Sequence, residues 1–209
     1  MQDTFTDIYK NNFWKISKEV KSKSGPGSDD SQTQKIVNEI PLLLQQYDIK
    51  SIFDCPCGDF NWMNKIININ YDYTGADIVE DLINTNKKHY ISSKIKFITF
   101  NIANDVIKDT YDLIICRDLL VHFSYNDIKQ TLINIKKSKC KYILLTTFPN
   151  KLNVNCETPT WRPLNLEKAP FNFPKPITII NETCTEGKMN YTDKSLALWK
   201  VEDINEKYM

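Results

Sequence analysis

The stretch that most constrains the fold is residues 49–63, IKSIFDCPCGDFNWM. A short β-branched and aromatic run ends in an acid, Asp54, and a turn with a single glycine, Gly58, follows it. An aromatic segment then starts at Phe60. Strand, acid, turn and helix in this order are typical of the first unit of an open parallel sheet, in which small molecules bind at the carboxyl ends of the strands. The sequence therefore predicts a binding crevice at this turn.

Strand-like and helix-like segments alternate along the rest of the chain. Strands are predicted over residues 50–55, 71–77, 95–101, 111–117, 141–148, 177–181 and 195–201. Helices are predicted over residues 3–20, from about 30 to 47, and over residues 61–69, 78–90 and 127–137. This alternation predicts an α/β fold with a doubly wound sheet. Pro41, inside the second helix, predicts a kink or break there.

The length of 209 residues is enough for one domain with a full core. We expect a single domain, residues 1–209, with a helical cap over residues 1–48 and a cofactor-binding core over residues 49–148. An insert follows over residues 149–176, and closing strands over residues 177–209. The insert holds six prolines, together with Trp161, Phe171 and Phe173. Long irregular segments are usually functional or disordered, and these aromatic residues argue against disorder.

The composition excludes several classes of partner. Lys and Arg number 27 and Asp and Glu number 26, so the net charge is +1 and no basic stripe stands out. Binding to nucleic acid through phosphate neutralisation is therefore not expected. No apolar run approaches the length of about 20 residues that a membrane helix needs, and no signal peptide is visible. We expect a cytoplasmic protein that does not bind a membrane.

The six cysteines do not have the spacing of a metal site. Cys55 and Cys57 form the one C-x-C pair, and the other cysteines are far apart. Zinc sites usually need C-x2-C pairs or Cys and His clusters, and the only histidines are His89 and His122. We expect no metal, and reduced thiols.

Two strand-end acids favour a nucleoside ligand. Asp54 and Asp77 end the first two predicted strands, and a carboxylate after a second strand can accept hydrogen bonds from both ribose hydroxyls. The turn after the first strand lacks the G-x-G-x-x-G pattern that brings backbone close to a pyrophosphate. Asp59 in this turn would repel a diphosphate. These features favour a ligand with a cationic centre and no phosphate, such as S-adenosylmethionine.

Four stretches, SIFDCPCGDFNWM, YTGADIVEDLI, IKFITFNI and YDLIICRDLLVHFS, resemble class I S-adenosylmethionine-dependent methyltransferases. SGPGS, TTF, WRPLNLEKAPF and DKSLALW are similar to a subgroup of small bacterial-type enzymes. The resemblance implies a Rossmann-like, seven-stranded, mostly parallel sheet with an antiparallel last strand, helices on both faces and an N-terminal helical lid. It also implies S-adenosyl-L-methionine as the cofactor.

The resemblance implies roles for residues at matching positions. Asp54 and Gly58 would hold the methionine end, Asp77 the ribose, and Ile78 the adenine. Further candidate cofactor contacts are Asn101 and Ile102 near the adenine amino group, Arg117 with Asp118 near the methyl group, and Cys55, Asp59, Gly27 and Ser28. Pro56 and Phe60 replace usual glycines, and Asn101 replaces a common acid. Asp59 can instead be a solvated turn acid, and the Gly27–Ser28 stretch only a linker.

Catalysis and most of the acceptor binding are assigned to residues after the fourth strand. His122, with Asp118 four residues earlier on one face of a helical turn, is the candidate base for a substrate hydroxyl; the alternative is a packed histidine. Candidate acceptor-binding residues are Trp62, Trp161, Arg162 and Asn165. Trp62 can instead be a core aromatic and Arg162 part of a surface salt bridge. Tyr9 and Trp14 can close a lid or simply pack, and Glu182 and Lys194 are expected to be surface charges.

The expected activity is O-methylation of a small-molecule or glycan-type acceptor. Three alternatives remain open: a nicotinamide-dependent oxidoreductase, a non-catalytic protein that binds an adenosyl cofactor, and a nucleic-acid methyltransferase. The missing glycine fingerprint argues against the first. The near-zero charge argues against the last. The sequence identifies neither the acceptor nor the oligomeric state.

Overall fold

The structure is a computed structural model that describes residues 1–13 and 22–204. Within these residues, seven strands form one sheet. They are β1 (Ser51–Asp54), β2 (Asp72–Asp77), β3 (Ile95–Thr99), β4 (Leu113–Cys116), β5 (Tyr142–Thr147), β6 (Thr178–Asn181) and β7 (Ser195–Lys200). The strand order is β3-β2-β1-β4-β5-β7-β6. The helices of the same residues are α1 (Gln2–Lys10), α2 (Asp30–Gln46), α3 (Glu80–Tyr90) and α4 (Tyr125–Lys137).

The directions of the strands confirm the predicted sheet. β1 pairs with β2, β2 with β3 and β4 with β5 in parallel. β7, the last strand of the sequence, runs antiparallel to both β5 and β6. The sheet is therefore mostly parallel with one reversed strand, as expected for a Rossmann-like, doubly wound fold.

The chain divides into two compact units, an N-terminal unit (Met1–Asn101) and a C-terminal unit (Ile102–Met209). The predicted subdivision into cap, core, insert and closing strands stays a prediction. Across residues 1–13 and 22–204, no helix is long and apolar enough to cross a membrane.

The core of the N-terminal unit follows the predicted hydrophobic pattern. Ile52 and Phe53 of β1 are buried, and α2 buries one face. The buried apolar residues of α2 are Ile36, Ile40, Leu43 and Leu44. Each buried Leu or Ile contributes about 1.5–3 kcal/mol. α2 continues through Pro41, so the predicted break there is wrong.

The core of the C-terminal unit is built on β4 and β5. Every residue of β4 is buried, and β5 is buried from Ile143 to its end. This near-continuous burial is what a parallel strand covered on both faces requires. α4 begins after Ser124, whose hydroxyl accepts a hydrogen bond from the Asp127 N–H at 3.2 Å. An N-cap of this kind satisfies one of the exposed N–H groups of the first turn.

Two predicted helices differ from the observed ones. The first ends at Lys10 rather than continuing to residue 20, and Asn12 then takes a positive φ of 52°. Trp14, for which a lid and simple packing are both open, lies outside the described residues. The helix predicted over residues 61–69 is only the 3-10 turn Met63–Lys65. Phe60, with a φ of 59°, packs its ring against Tyr73 at 5.0 Å between centroids instead of starting a helix.

Candidate functional site

The strand-end acid of β2, Asp77, is fixed by backbone N–H groups. One carboxylate oxygen accepts from the Gly58 N–H at 3.2 Å, and the other from the Val79 N–H at 3.0 Å. The residue is 7% exposed. Burial raises the pKa of Asp77 to about 6, although the backbone hydrogen bonds oppose this rise. The carboxylate is thus oriented and close to its titration point at neutral pH.

Gly58 links the β1 turn to this acid and to the N-terminal segment. Its φ of +54° lies in the left-handed region that favours glycine, and a Cβ here would collide with the Ser24 hydroxyl. Its carbonyl accepts from the Asn86 side-chain amide at 2.8 Å. The turn therefore requires glycine at this position for both conformation and space.

Asp59 ties residues 22–24 to the β1 turn. Its carboxylate accepts from the Ser22 hydroxyl at 2.9 Å and from the Lys23 N–H at 2.7 Å. In return, the Asp59 N–H donates to the Ser24 hydroxyl at 2.9 Å. The alternative of a merely solvated turn acid is therefore wrong.

The SGPGS segment is held against the same turn. Gly27 and Ser28 lie in the 3-10 turn Pro26–Ser28. The Ser28 carbonyl accepts from the Asn61 side-chain amide at 3.2 Å. Nearby, the Lys23 ammonium lies 5.9 Å from the centre of the Tyr9 ring. The structure thus brings Gly27 and Ser28 to the turn that carries Gly58 and Asp59.

The other N-terminal candidates differ in accessibility. Asp54 is buried and accepts from the Tyr73 hydroxyl at 2.6 Å. Cys55 and Trp62 are also buried, which favours packing for Trp62. Ile78 and Asn101 are half-buried.

In the C-terminal unit, four charged side chains form a buried network, which we call the charge quartet: Arg117, Asp118, Glu182 and Lys194. Arg117 Nη2 lies 2.6 Å from Glu182 Oε2, and Arg117 Nη1 lies 3.4 Å from Asp118 Oδ2. Lys194 Nζ lies 2.6 Å from Asp118 Oδ2 and 3.7 Å from Glu182 Oε2. Two positive and two negative groups therefore balance one another in the protein interior.

Glu182 and Lys194 correct the sequence analysis, which expected surface charges. They are 2% and 5% exposed. Glu182 follows β6 and Lys194 precedes β7, and the Glu182 N–H donates to the Lys194 carbonyl at 2.9 Å. Their partners stand 65 and 76 residues earlier in the chain. No local pattern could reveal the pairing; the only signal is an acid and a base flanking the last hairpin.

The quartet sets the charge of Asp118. Burial alone would raise its pKa, but Lys194 and then Arg117 lower the pKa of Asp118 to about 2. Asp118 has a φ of 56°, and its N–H donates to the Thr146 hydroxyl at 2.8 Å. The Asp118 side chain, 26% exposed, is the most exposed of the four. Asp118 is therefore an ionised, oriented carboxylate.

The four-residue spacing predicted that His122 and Asp118 share an α-helical turn, and this prediction is wrong. Asp118 is followed instead by the 3-10 turn Leu120–His122. His122 Nδ1 lies 3.1 Å from the Pro159 carbonyl oxygen, which can only accept, so Nδ1 carries the proton. Burial lowers the pKa of His122, although the Pro159 contact opposes this. The ring is therefore neutral at pH 7, with the lone pair on Nε2.

Within the insert, residues 149–176, two predicted acceptor-binding side chains form hydrogen bonds to backbone carbonyls. Arg162 is buried, so the surface salt-bridge alternative is wrong; its guanidinium donates to the carbonyls of Leu120 at 2.7 Å and Val154 at 3.2 Å. The Asn165 side-chain amide donates to the Pro149 carbonyl at 2.6 Å. The Asn153 amide donates to the carbonyls of Asn165 and Ala169, both at 2.8 Å. The insert is thus ordered, as its aromatic content indicated.

Trp161 remains accessible. It is 38% exposed. Its ring packs edge-on against Tyr191, with 4.8 Å between ring centroids, and against Phe148 at 6.0 Å. The neighbouring Arg162 N–H donates to the Val121 carbonyl, beside His122. Trp161 is therefore a partly exposed aromatic residue in the same unit as His122.

All six cysteines are free thiols. In the part of the chain that the structure describes, no group of three or more His, Cys, Asp or Glu side chains is arranged to hold a metal ion.

Comparison with known proteins places the fold. No family model matches the sequence, and no curated protein is significantly similar to it. Among solved structures, human N-acetylserotonin methyltransferase in complex with SAM is 14% identical, with a TM-score of 0.61. This match covers 94% of the chain but 58% of the human protein, so the chain spans a little over half of that protein.

Two further structures have the same fold. The N-methyltransferase NodS from Bradyrhizobium japonicum WM9 has a TM-score of 0.58 and 11% identity, over 82% of the chain and 97% of NodS. Magnesium protoporphyrin IX methyltransferase (ChlM) from Synechocystis PCC 6803, with bound SAH, has a TM-score of 0.53 and 15% identity, over 72% of each chain. The chain therefore has the Rossmann-like fold of these methyltransferases.

Proposed function

We propose that this chain is an S-adenosylmethionine-dependent methyltransferase that methylates a hydroxyl of a small-molecule or glycan-type acceptor. The observation that carries the proposal is the Asp77 carboxylate, buried at the end of β2 and oriented by the Gly58 and Val79 N–H groups. A carboxylate so placed suits a ribose diol. The fold that the chain shares with methyltransferases solved with SAM and SAH also supports S-adenosylmethionine as the ligand.

The chemistry of the turn fits this cofactor better than a dinucleotide. Asp59 adds a second carboxylate whose charge acts on Asp77, and two acids at one turn disfavour a pyrophosphate. S-adenosylmethionine carries a sulfonium and an ammonium, which suit acidic surroundings. Residues proposed to hold it are Asp54, Cys55, Gly58, Asp59, Asp77, Ile78, Asn101, Ile102, Arg117, Gly27 and Ser28.

When bound, S-adenosylmethionine supplies a methyl group activated on a positive sulfur. The protein then has to orient the acceptor and remove its hydroxyl proton. Neutral His122, protonated on Nδ1, can take that proton on Nε2. Asp118, ionised by its neighbours, is suited to accept a hydrogen bond rather than a proton. Trp161, which is partly exposed, is proposed to contact the acceptor.

The proposal also covers the place of action and the partners. Six free cysteines are consistent with a reducing compartment, which supports the cytoplasm. The net charge of +1 supports an acceptor other than nucleic acid.

Titration calorimetry with S-adenosylhomocysteine tests the cofactor. We expect a dissociation constant well below about 1 mM for S-adenosylhomocysteine. Asp77→Ala should weaken binding at least about tenfold, since hydrogen bonds to a charged group contribute about 1.5–3 kcal/mol. Asp72→Ala, at the exposed start of the same strand, is the matched control and should leave the affinity unchanged.

Different outcomes separate the alternatives. Absence of binding at about 1 mM S-adenosylhomocysteine, a free energy of about −4 kcal/mol, refutes the cofactor assignment. Fluorescence-detected binding of a reduced nicotinamide cofactor instead would favour an oxidoreductase. Binding without methyl turnover on any acceptor panel would favour a non-catalytic adenosyl-binding protein.

A further inference from the structure

We propose that Lys194, held in place by Glu182, is a positioning residue that fixes the Asp118 carboxylate to receive a hydrogen bond from a neutral hydroxyl of the acceptor. This inference rests on the proposed methyltransferase function. It assigns a role to two residues of the closing hairpin that lie outside the cofactor turn.

The geometry of the quartet supports this role. Lys194 Nζ lies 2.6 Å from Asp118 Oδ2, whereas Arg117 lies 3.4 Å from the same oxygen. Lys194 is therefore the closer of the two cations. Glu182 Oε2 holds Arg117 at 2.6 Å and Lys194 at 3.7 Å, so the acid restrains both cations from the other side.

Asp118 has accepting capacity left for a ligand. A carboxylate offers about four lone-pair sites. Both cations lie on Oδ2, and the Thr146 hydroxyl donates to Oδ1 at a long 3.4 Å. The side chain keeps 26% of its surface exposed, whereas Arg117 and Glu182 are almost fully buried.

The charge balance selects the class of donor. Lys194, Arg117 and neutral His122 face Asp118, and Glu182 faces the two cations. The quartet has no net charge, so it offers little attraction to an ammonium group. A neutral hydroxyl donor gains a charge-assisted hydrogen bond without bringing a further cation close to Lys194. Phenol suits this site as a probe, because it is a neutral donor with a single hydroxyl.

The experiment combines carboxyl NMR with matched ligands on the protein saturated with S-adenosylhomocysteine. The ¹³C resonance of the Asp118 carboxyl is followed in the wild type, Lys194→Met, Lys194→Arg and the exposed control Lys200→Met. Phenol, which donates a hydrogen bond, is compared with anisole, which has no donor.

We expect Lys194→Met to raise the pKa of Asp118 by about 1 to 3, the effect of losing an opposite charge in contact. Lys194→Arg should restore it, and Lys200→Met should not change it. Phenol should shift the Asp118 resonance in the wild type and in Lys194→Arg, and anisole should not.

In the wild-type protein, equal shifts of the Asp118 resonance with phenol and anisole, or no shift with either, would overturn the proposal. This outcome does not depend on whether Lys194→Met folds. An unchanged pKa of Asp118 in a folded Lys194→Met protein would also overturn it. Binding of S-adenosylhomocysteine is measured on the same samples. Its absence refutes the proposed function, whereas its presence with no Asp118 response refutes this inference only.

Discussion

The turns after β1 and β4 both fix carboxylates, but they do so by different means. In the turn after β1, Asp59 is held by the Ser22 hydroxyl and the Lys23 N–H, and the Gly58 N–H of the same turn holds Asp77 at the end of β2, together with the Val79 N–H. After β4, Asp118 is held by the long side chain of Lys194, from another part of the chain. Backbone dipoles leave Asp77 able to titrate near neutral pH, whereas a cation in contact keeps Asp118 ionised. The first arrangement suits ligand binding by hydroxyl groups, and the second suits a permanent charge.

The largest expected effect comes from removing one charge of the quartet. Glu182→Gln keeps the side-chain shape but leaves Arg117 and Lys194 with a single anion between them. Breaking a buried ion pair typically costs about 3–5 kcal/mol. Urea unfolding should show this loss of stability. Glu202→Gln, in an exposed pair with Lys200, is the control and should cost less than about 0.5 kcal/mol. If Glu182→Gln lowers the free energy of unfolding by less than about 1 kcal/mol, buried ion pairs do not stabilise the turn after β4.

A smaller loss is expected at the β1 turn. Gly58→Ala must adopt a φ of +54° and place its Cβ against the Ser24 hydroxyl. Strain of this kind costs about 1–3 kcal/mol, which the same unfolding measurement detects. Gly27→Ala, within a 3-10 turn of the adjoining segment, should cost less. Equal losses for the two variants would contradict the assigned conformation of Gly58.

The smallest expected effect is a pH dependence that comes from Asp77, which accepts a hydrogen bond from the Gly58 N–H of the β1 turn. The folded pKa of Asp77, about 6, exceeds the unfolded value of about 3.9, so between these values the ligand-free folded state binds the extra proton. The contribution of Asp77 to stability is therefore present at low pH and is lost as the pH rises toward 6. A ribose diol needs the ionised carboxylate, so affinity changes in the opposite direction.

Calorimetry should therefore show S-adenosylhomocysteine binding about tenfold more weakly at pH 5 than at pH 7.5, because about a tenth of Asp77 is ionised at pH 5. Asp77→Asn should remove this dependence. Asp59, whose charge raises the pKa of Asp77, is the other acid that faces the group. If the wild-type affinity for S-adenosylhomocysteine is the same at pH 5 and pH 7.5, Asp77 does not contact the ligand.

The two turns also differ in how far their contacts could be predicted from the sequence. The strands, the reversed β7 and the acid at the end of β2 depend on local patterns or on the resemblance to a known family, and the structure agrees with them. Asp77 and Gly58 are 19 residues apart and meet because adjacent parallel strands end at one edge. The partners of Arg117 and Asp118 are set by how the closing hairpin packs, which no periodicity encodes.

The errors in predicted local structure have a tertiary cause. The residues predicted to form a helix over 61–69 include apolar side chains at helical spacing, but tertiary packing fixes the backbone at the start of this segment. Phe60 turns into the aromatic cluster with Tyr73 and Phe97, at 5.0 and 5.2 Å. Tertiary contacts routinely override propensity in segments this short.

The insert is ordered by amides and a guanidinium rather than by a ladder of strands. The side chains of Asn153, Asn165 and Arg162 hold its loops by hydrogen bonds to carbonyls. Each such contact can be exchanged by one substitution without disturbing the register of the sheet. The surface of the insert can therefore change in small steps while the framework of the sheet stays the same.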